Sequence, residues 1–277
     1  MPPPLFYILT KRETPMNTKK KLLYPILLVA VLILAGFLLK TPIYNLYRDI
    51  SFSWEDRSDE AWEIKHYAEK QGISIGNWPW EIIELYERNP ETRDFVLHYP
   101  DRTEREIDLS IYSRESVPLF LQWDPMWGYE NYGASCIAVT GCGPTCLAMV
   151  GYYLTGEDRW NPKDVAAFAQ KNGYYASGYG SSWTLISEGS GKLGLEAKEL
   201  PLVKKKMVTA LEEGKLVILA LGAGDFTTTG HYIVLTGWDG EAFTVNDPNS
   251  RLRSQRTWTY EELEGQIRNI WAISVRS

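Results

Sequence analysis

Three cysteines and three histidines among 277 residues leave few ways to build a reactive centre. Cys142 stands in Gly141-Cys142-Gly143-Pro144-Thr145, where a glycine-rich loop passes into an apolar stretch that reads as a helix over 144–154. A thiol at a helix N-terminus faces the positive end of the macrodipole and unpaired N–H groups, both of which favour the thiolate. The flanking glycines let the backbone approach a substrate closely and aim main-chain N–H groups at a developing oxyanion. The plain alternative is a buried structural cysteine, a common fate of that residue. Cys136 and Cys146 complete a C-x5-C-x3-C pattern without the paired short knuckles of a zinc site and with no histidine nearby. Cys142 and Cys146 lie one helical turn apart, awkward for a disulfide, whereas Cys136 and Cys146 could pair in an oxidising compartment.

The histidine search is short. His66 falls in a helical stretch and His98 just before Pro100, and neither has catalytic company. His231 opens the apolar run Tyr232-Ile233-Val234-Leu235 and is the one histidine in the half of the chain that holds Cys142. Trp238-Asp239-Gly240 reads as a three-residue hairpin loop with Gly240 in the left-handed position. That register sets residue 247, an aspartate, directly opposite residue 231, close enough for a carboxylate to hold an imidazole N–H. A two-residue turn would slip the register by one and carry Asp247 to the other face. The plain reading of Asp247 is a turn residue in Asn246-Asp247-Pro248-Asn249. Cys, His, Asp in that order matches folds in which a helix carries the thiol and a sheet carries base and orienter. Upstream, the side-chain N–H of Gln122 could complete an oxyanion hole with the main-chain N–H of Cys142.

These residues need a scaffold. Asn161-Pro162-Lys163 leads into a helix with Val165, Ala166, Phe168 and Ala169 as its apolar stripe, and 204–213, stopped by Gly214, reads as another. Residues 216–221, 232–237 and 243–246 read as strands, 260–267 as a helix and 271–275 as a closing strand. Helices first and strands mostly last indicate an α+β class. Upstream, Ser58 could cap a helix starting at Asp59, a second helix runs from Pro79 to just before Asn89-Pro90, and 95–99 reads as a short extended segment ended by Pro100. Nothing over 41–115 suggests chemistry, and a stalk or small packing subdomain fits.

Six segments taken together resemble a known family. Gln122-Trp123-Asp124-Pro125-Met126-Trp127-Gly128, Gly141-Cys142-Gly143-Pro144-Thr145-Cys146-Leu147-Ala148-Met149, Gly180-Ser181-Ser182-Trp183, Gly224-Asp225-Phe226-Thr227, Gly230-His231-Tyr232-Ile233-Val234-Leu235-Thr236-Gly237 and Asn246-Asp247-Pro248-Asn249-Ser250 are similar to the peptidase-like branch of cysteine peptidase family 39. The resemblance spans about residues 115–277. It implies a papain-like fold with Cys142 as nucleophile, His231 as base, Asp247 as orienter and Gln122 as oxyanion donor. Many members carry Ser where this chain has Cys146, and a second thiol there raises redox trapping. Relatives of the family cut bacteriocin leaders after double glycine, but no P-loop is present, since Gly189-Ser190-Gly191-Lys192-Leu193 has the wrong spacing. Leader processing coupled to export is therefore weakly supported.

The rest of the sequence concerns location. Residues 22–39 carry no charged side chain, and at ~1.5 Å per residue they span about 27 Å against a hydrocarbon layer of ~30 Å. Pro25 suits the first turn of such a helix. Lys19, Lys20 and Lys21 precede the run, so the positive-inside rule puts the N-terminus in the cytosol and everything after Thr41 outside. A cleaved signal peptide and a buried core helix are the alternatives, and Gly36-Phe37-Leu38-Leu39 lacks the small-x-small cleavage site of the first. Met16-Asn17-Thr18-Lys19 reads like a conventional start. The expected organisation is a cytosolic tail over 1–21, a membrane anchor over 22–39, a juxtamembrane helical region over 40–115 and a papain-like domain over 116–277. A net charge of −6 without a basic stripe excludes a nucleic-acid partner. The expected activity is extracytoplasmic hydrolysis of a peptide or cell-envelope amide through a thioester, with no metal or organic cofactor. The alternatives are a non-catalytic binding module, with a groove built from Trp123, Trp127, Trp183 and Trp238, and an acyl transferase.

Overall fold

The computed structural model describes residues 18–52, 57–178 and 180–276; the side chains of 18–28 and of Ala30 lie outside the described set, as does Met16 and most of the tail expected over 1–21. The chain divides into two compact units. The first contains α1 (Thr18–Phe52). This single helix covers the whole uncharged run, and Pro25 sits well inside it rather than in its first turn, because the helix begins at Thr18. Among the described residues, which leave out the side chains of 18–28 and of Ala30 and so much of the 22–39 run, no helix is long and apolar enough to cross a membrane.

The second unit begins with α2 (Asp59–Gln71), α3 (Trp80–Arg88) and α4 (Arg93–Leu97). A short ladder of β1 (Asn131–Tyr132) and β2 (Ser135–Cys136) leads into α5 (Ile137–Thr140), α6 (Cys142–Thr155) and α7 (Pro162–Lys171). Then come a second ladder, β3 (Tyr175–Ala176) with β4 (Gly180–Ser181), and α8 (Ser190–Lys192). The chain closes with β5 (Leu195–Glu199), α9 (Lys204–Glu212), β6 (Leu216–Leu221), β7 (His231–Trp238), β8 (Phe243–Asn246), α10 (Arg251–Ser254), β9 (Thr257–Trp258), α11 (Tyr260–Glu264) and β10 (Ile267–Val275). The strands from β5 onward form one antiparallel six-stranded sheet in the order β5-β10-β6-β7-β8-β9. This is an α+β fold, as the order of elements in the sequence indicates.

The sheet is packed on both faces, which is why its central strands are apolar without alternation. On one face Leu147, Met149 and Val150 of α6 meet Ile218, Val234 and Trp271. On the other, Met207 and Ala210 of α9 cover Val217, Leu219, Ile233 and Leu235. Local signals fix the helix ends: the Ser58 side chain accepts from the Ala61 N–H at 3.1 Å, and Asn161 accepts from Asp164 N–H at 2.9 Å with Pro162 in the first turn.

Four sequence expectations are corrected. Residues 95–97 are the end of helix α4, not an extended segment: Asn89 accepts from the Glu91 N–H and Pro90 follows, so the chain enters a helical turn before Phe95, Val96 and Leu97 are buried. The helix expected over 260–267 ends at Glu264, and β10 starts at Ile267. Strand β5 was not foreseen, because this edge strand keeps Glu196, Lys198 and Glu199 among its residues and lacks an apolar run. The hairpin differs too. Its loop runs over 239–242, where Asp239 Oδ1 accepts from the Glu241 and Ala242 N–H groups (2.8 and 2.7 Å) and Gly240 takes φ +104°.

The hairpin register shows how Asp247 still reaches His231. Trp238 pairs with Phe243 and Gly237 with Thr244, but a bulge at Thr236 then shifts the pairing to Leu235 with Val245 and Val234 with Asn246. Continued, the turn-end register would set residue 247 against 234, on the other side of the strand. The bulge sets it against 233 instead, which shares a side with His231 because side chains alternate along a strand. Asp247 is thus a diagonal neighbour of His231 rather than the directly opposed one.

Candidate active site

Cys142 is the first residue of α6, preceded by Gly141 with no side-chain cap. The first N–H groups of a helix have no partner within it, so the thiol sits among donors suited to an anion. Gly143 serves packing rather than substrate approach: a Cβ there would come within 2.7 Å of Ser181 Cβ and Oγ. Ser181 is fixed in turn by the Tyr132 hydroxyl at 2.8 Å and by Tyr232, whose hydroxyl donates to the Ser181 carbonyl at 3.1 Å. All three cysteines are free thiols, so the possible Cys136–Cys146 pairing is not formed. Cys136 and Cys146 are buried and Cys142 is partly exposed. Burial pushes the Cys136 thiol up to about 11 and the Cys146 thiol well above its ordinary value.

His231 opens β7 beside Cys142. Its Nε2–H donates to Asp247 Oδ1 at 2.7 Å, leaving Nδ1 for the sulfur. Burial alone would disfavour the charged ring. The Asp247 carboxylate, through charge and hydrogen bond, and the Cys142 sulfur outweigh it, and the pKa rises from 6.5 to about 10. Asp247 is fully buried. Burial works against its ionised form, yet its pKa is held below 3.8 because His231 and Arg253 both face it. Its two oxygens divide the work: Oδ1 also accepts from the Asn249 N–H at 2.8 Å, and Oδ2 accepts from Arg253 Nε at 2.5 Å.

Gln122 completes the group. It is 3% exposed, its main-chain N–H donates to the Pro248 carbonyl at 2.7 Å, and Nε2 donates to the Ala138 carbonyl at 2.6 Å. An amide nitrogen carries two N–H groups, so one anchors the side chain and leaves the other for the cleft. Oε1 is buried without a hydrogen-bond partner among the described residues. All four residues expected from the sequence therefore converge: Cys142, His231 and Gln122 line one cleft of about 380 Å³, and Asp247 lies behind His231.

The walls of that cleft were not foreseen. One is the loop over 224–230; the other is the 81, 84, 85, 88 face of α3, bearing Glu81, Glu84, Leu85 and Arg88. Residues 80–88 belong to the region expected to be a stalk without a part in chemistry. The i, i+3, i+4, i+7 spacing of these four residues was the available signal, obscured because the opposite face of α3 supplies the apolar pattern of Ile82, Ile83 and Tyr86. Arg253 was also missed, since nothing in a four-residue helix marks it beforehand. The four tryptophans do not form a groove: Trp127 and Trp123 are buried, and Trp127 Nε1 donates to the Leu121 carbonyl. Among the described residues, no group of three His, Cys, Asp or Glu side chains is placed to hold a metal ion.

A helix-borne thiol, a strand-borne imidazole backed by a buried carboxylate, and a buried glutamine thus lie together. The profile of the Peptidase C39-like family matches residues 114–277, more than half of the chain, and the protein belongs to that family. Among solved structures, the chain is similar to the peptidase domain of Streptococcus ComA, a bifunctional ABC transporter of a quorum-sensing pathway, with 18% identity over 50% of this chain and 93% of that one and a TM-score of 0.39. A double-glycine-motif protease from an AMS/PCAT transporter, solved with a leader peptide, gives 20% identity over 52% and 87% and a TM-score of 0.34. A candidate C39-like peptidase from Bacillus anthracis gives 16% over 58% and 96%, with a TM-score of 0.36. No curated protein matches the chain.

Proposed function

We propose that this protein is a membrane-anchored, extracytoplasmic cysteine hydrolase that cleaves a peptide or a cell-envelope amide with Cys142, His231 and Asp247. The observation that carries the reading is the buried His231–Asp247 hydrogen bond beside a partly exposed thiol at a helix N-terminus. His231 takes the thiol proton onto Nδ1 and rests as an imidazolium held by Asp247. The sulfur adds to the substrate carbonyl carbon, and the oxygen that becomes negative is met by the Cys142 N–H and the second N–H of Gln122. The C–N bond then breaks, with the leaving nitrogen taking the imidazolium proton. Neutral His231 next removes a proton from water, whose oxygen attacks the thioester; the acid departs and the thiol is restored. No step calls for a metal or organic cofactor.

Two features support the anchor and the domain organisation. The uncharged run over 22–39 lies within one uninterrupted helix, and its described large apolar side chains, among them Leu32, Ile33, Phe37 and Leu38, are exposed. Such a surface is stable against lipid rather than water. Residues 1–21 then form the cytosolic tail, 40–115 the juxtamembrane region and 116–277 the papain-like catalytic domain, on the outer side.

Peptide-library digestion followed by intact-mass analysis tests the activity. A hydrolase gives free carboxyl products and a transient acyl adduct on Cys142, both lost in Cys142→Ala. An amide adduct with an added amine, at the expense of the free acid, would identify an acyl transferase instead. Absence of both products and adduct would leave a binding module.

A further inference from the structure

A fully buried carboxylate needs a donor on each oxygen, or it protonates or turns away from its partner. Asp247 Oδ1 has His231 and Asn249; Oδ2 has Arg253. Arg253 is in turn held by its turn of chain. The Ser250 side chain accepts from the Arg253 N–H at 3.1 Å, and the Trp258 indole donates to the Arg253 carbonyl at 3.0 Å. The start of that turn is gripped from far away in sequence. The Glu91 carboxylate accepts from the Ser250 hydroxyl and from the Arg251 N–H at 2.9 Å, and the Asn89 amide donates to the Asn249 carbonyl. Glu91 and Asn89 both precede residues 114–277, the part matched by the family.

We propose that Arg253 is a positioning residue for Asp247, and that Glu91, outside the family domain, holds Arg253 in place through α10. The inference rests on the hydrolase reading of the same site. A continuous chain of contacts runs from Glu91 through Ser250 and Arg253 to Asp247, then to the His231 ring and the sulfur. Loss of either charged group lets the carboxylate turn, the imidazole follow, and the thiol lose its ion-pair partner. The segment over 89–91 is then part of the catalytic unit.

The test is the rate of Cys142 alkylation by iodoacetamide in the full chain, with adducts mapped by mass spectrometry. It needs no known substrate. Arg253→Gln and Glu91→Gln are each expected to slow Cys142 labelling by roughly 10- to 100-fold. The double variant is expected to be no slower than Arg253→Gln alone, since the two act in series, and Arg253→Lys to recover most of the rate. Cys136 and Cys146 are the internal control, remaining slow throughout because the fold is kept. Unchanged Cys142 labelling in the single variants, effects that multiply in the double variant, or faster Cys136 and Cys146 labelling in step with slower Cys142 would overturn the proposal. Wild-type labelling no faster at Cys142 than at Cys136 or Cys146 would overturn the hydrolase reading itself.

Discussion

Two loops flank the cleft and are built differently. The loop from Asp247 to Ser254 is tied to four other parts of the chain: His231 in β7, Glu91 and Asn89 ahead of the family domain, Gln122 and Trp123, and Trp258 in β9. The loop over 223–230 is anchored by the buried Phe226 ring against Trp258 and by Gln266, which accepts from the Asp225 N–H and donates to its carboxylate, both at 3.0 Å; Gly224, Asp225, Thr228, Thr229 and Gly230 are exposed. The many-fold tethering of the first suits a group whose angle to an imidazole must not drift. The second, exposed except at Phe226 and Thr227, has the character of a surface that adapts to a ligand. On the proposed reading, one side of the cleft holds chemistry and the other meets substrate.

The comparison breaks most decisively at Asp247. Asp247→Asn keeps the shape but loses the charge that holds the imidazolium, and kcat is expected to fall by about 10³- to 10⁴-fold with little change in KM. A fall in KM-dependent binding instead would move Asp247 out of the chemistry. Gln122→Ala removes one oxyanion donor, with an expected loss of about 10²- to 10³-fold in kcat; a loss under threefold would show that the oxyanion is met elsewhere. On the other loop, Thr228→Ala is expected to change KM by about two- to fivefold and leave kcat in place. A kcat effect matching that of Gln122→Ala would erase the distinction between the loops.

Acidity sharpens the same contrast, because the tethered side carries an imidazole shifted upward and a carboxylate shifted downward. The His231 pKa is raised, so the folded state binds that proton more tightly than the unfolded chain does. The stabilisation is full below pH 6.5 and is lost as pH rises through about 10. Asp247 is shifted downward, so its share is present above pH 3.8 and is lost as pH falls below that value. The gap in Tm between wild type and His231→Gln should therefore be widest near pH 5–6 and close toward pH 10. Thr228→Ala should show a pH-independent loss of unfolding free energy under about 0.5 kcal/mol.

The legible part of this site was the part written in local sequence. Cys142 declares itself through Gly141, Pro144 and the apolar helix that follows, and His231 by opening an apolar strand. The pairing of His231 with Asp247 was reached through a hairpin register that the bulge at Thr236 replaces. The turn displaces the expected pairing by three residues and the bulge takes one back, an even net shift, so the right pair emerged from the wrong ladder. Glu91 stayed hidden because its role depends on a contact across 160 residues of chain, with Arg251, which no local spacing encodes. The charged face of α3 is spaced as one helix face, but only the fold shows that it faces the cleft, and Arg253 reaches Asp247 across six residues from a four-residue helix that no local pattern marks.

The most direct test of the central claim compares the alkylation rates of the three thiols at neutral pH in wild type and in His231→Ala. Fast labelling confined to Cys142 is expected in the wild type, slowed at least about tenfold in the variant, with Cys136 and Cys146 slow in both. Equal rates at all three cysteines, or a Cys142 rate indifferent to the loss of His231, would contradict it.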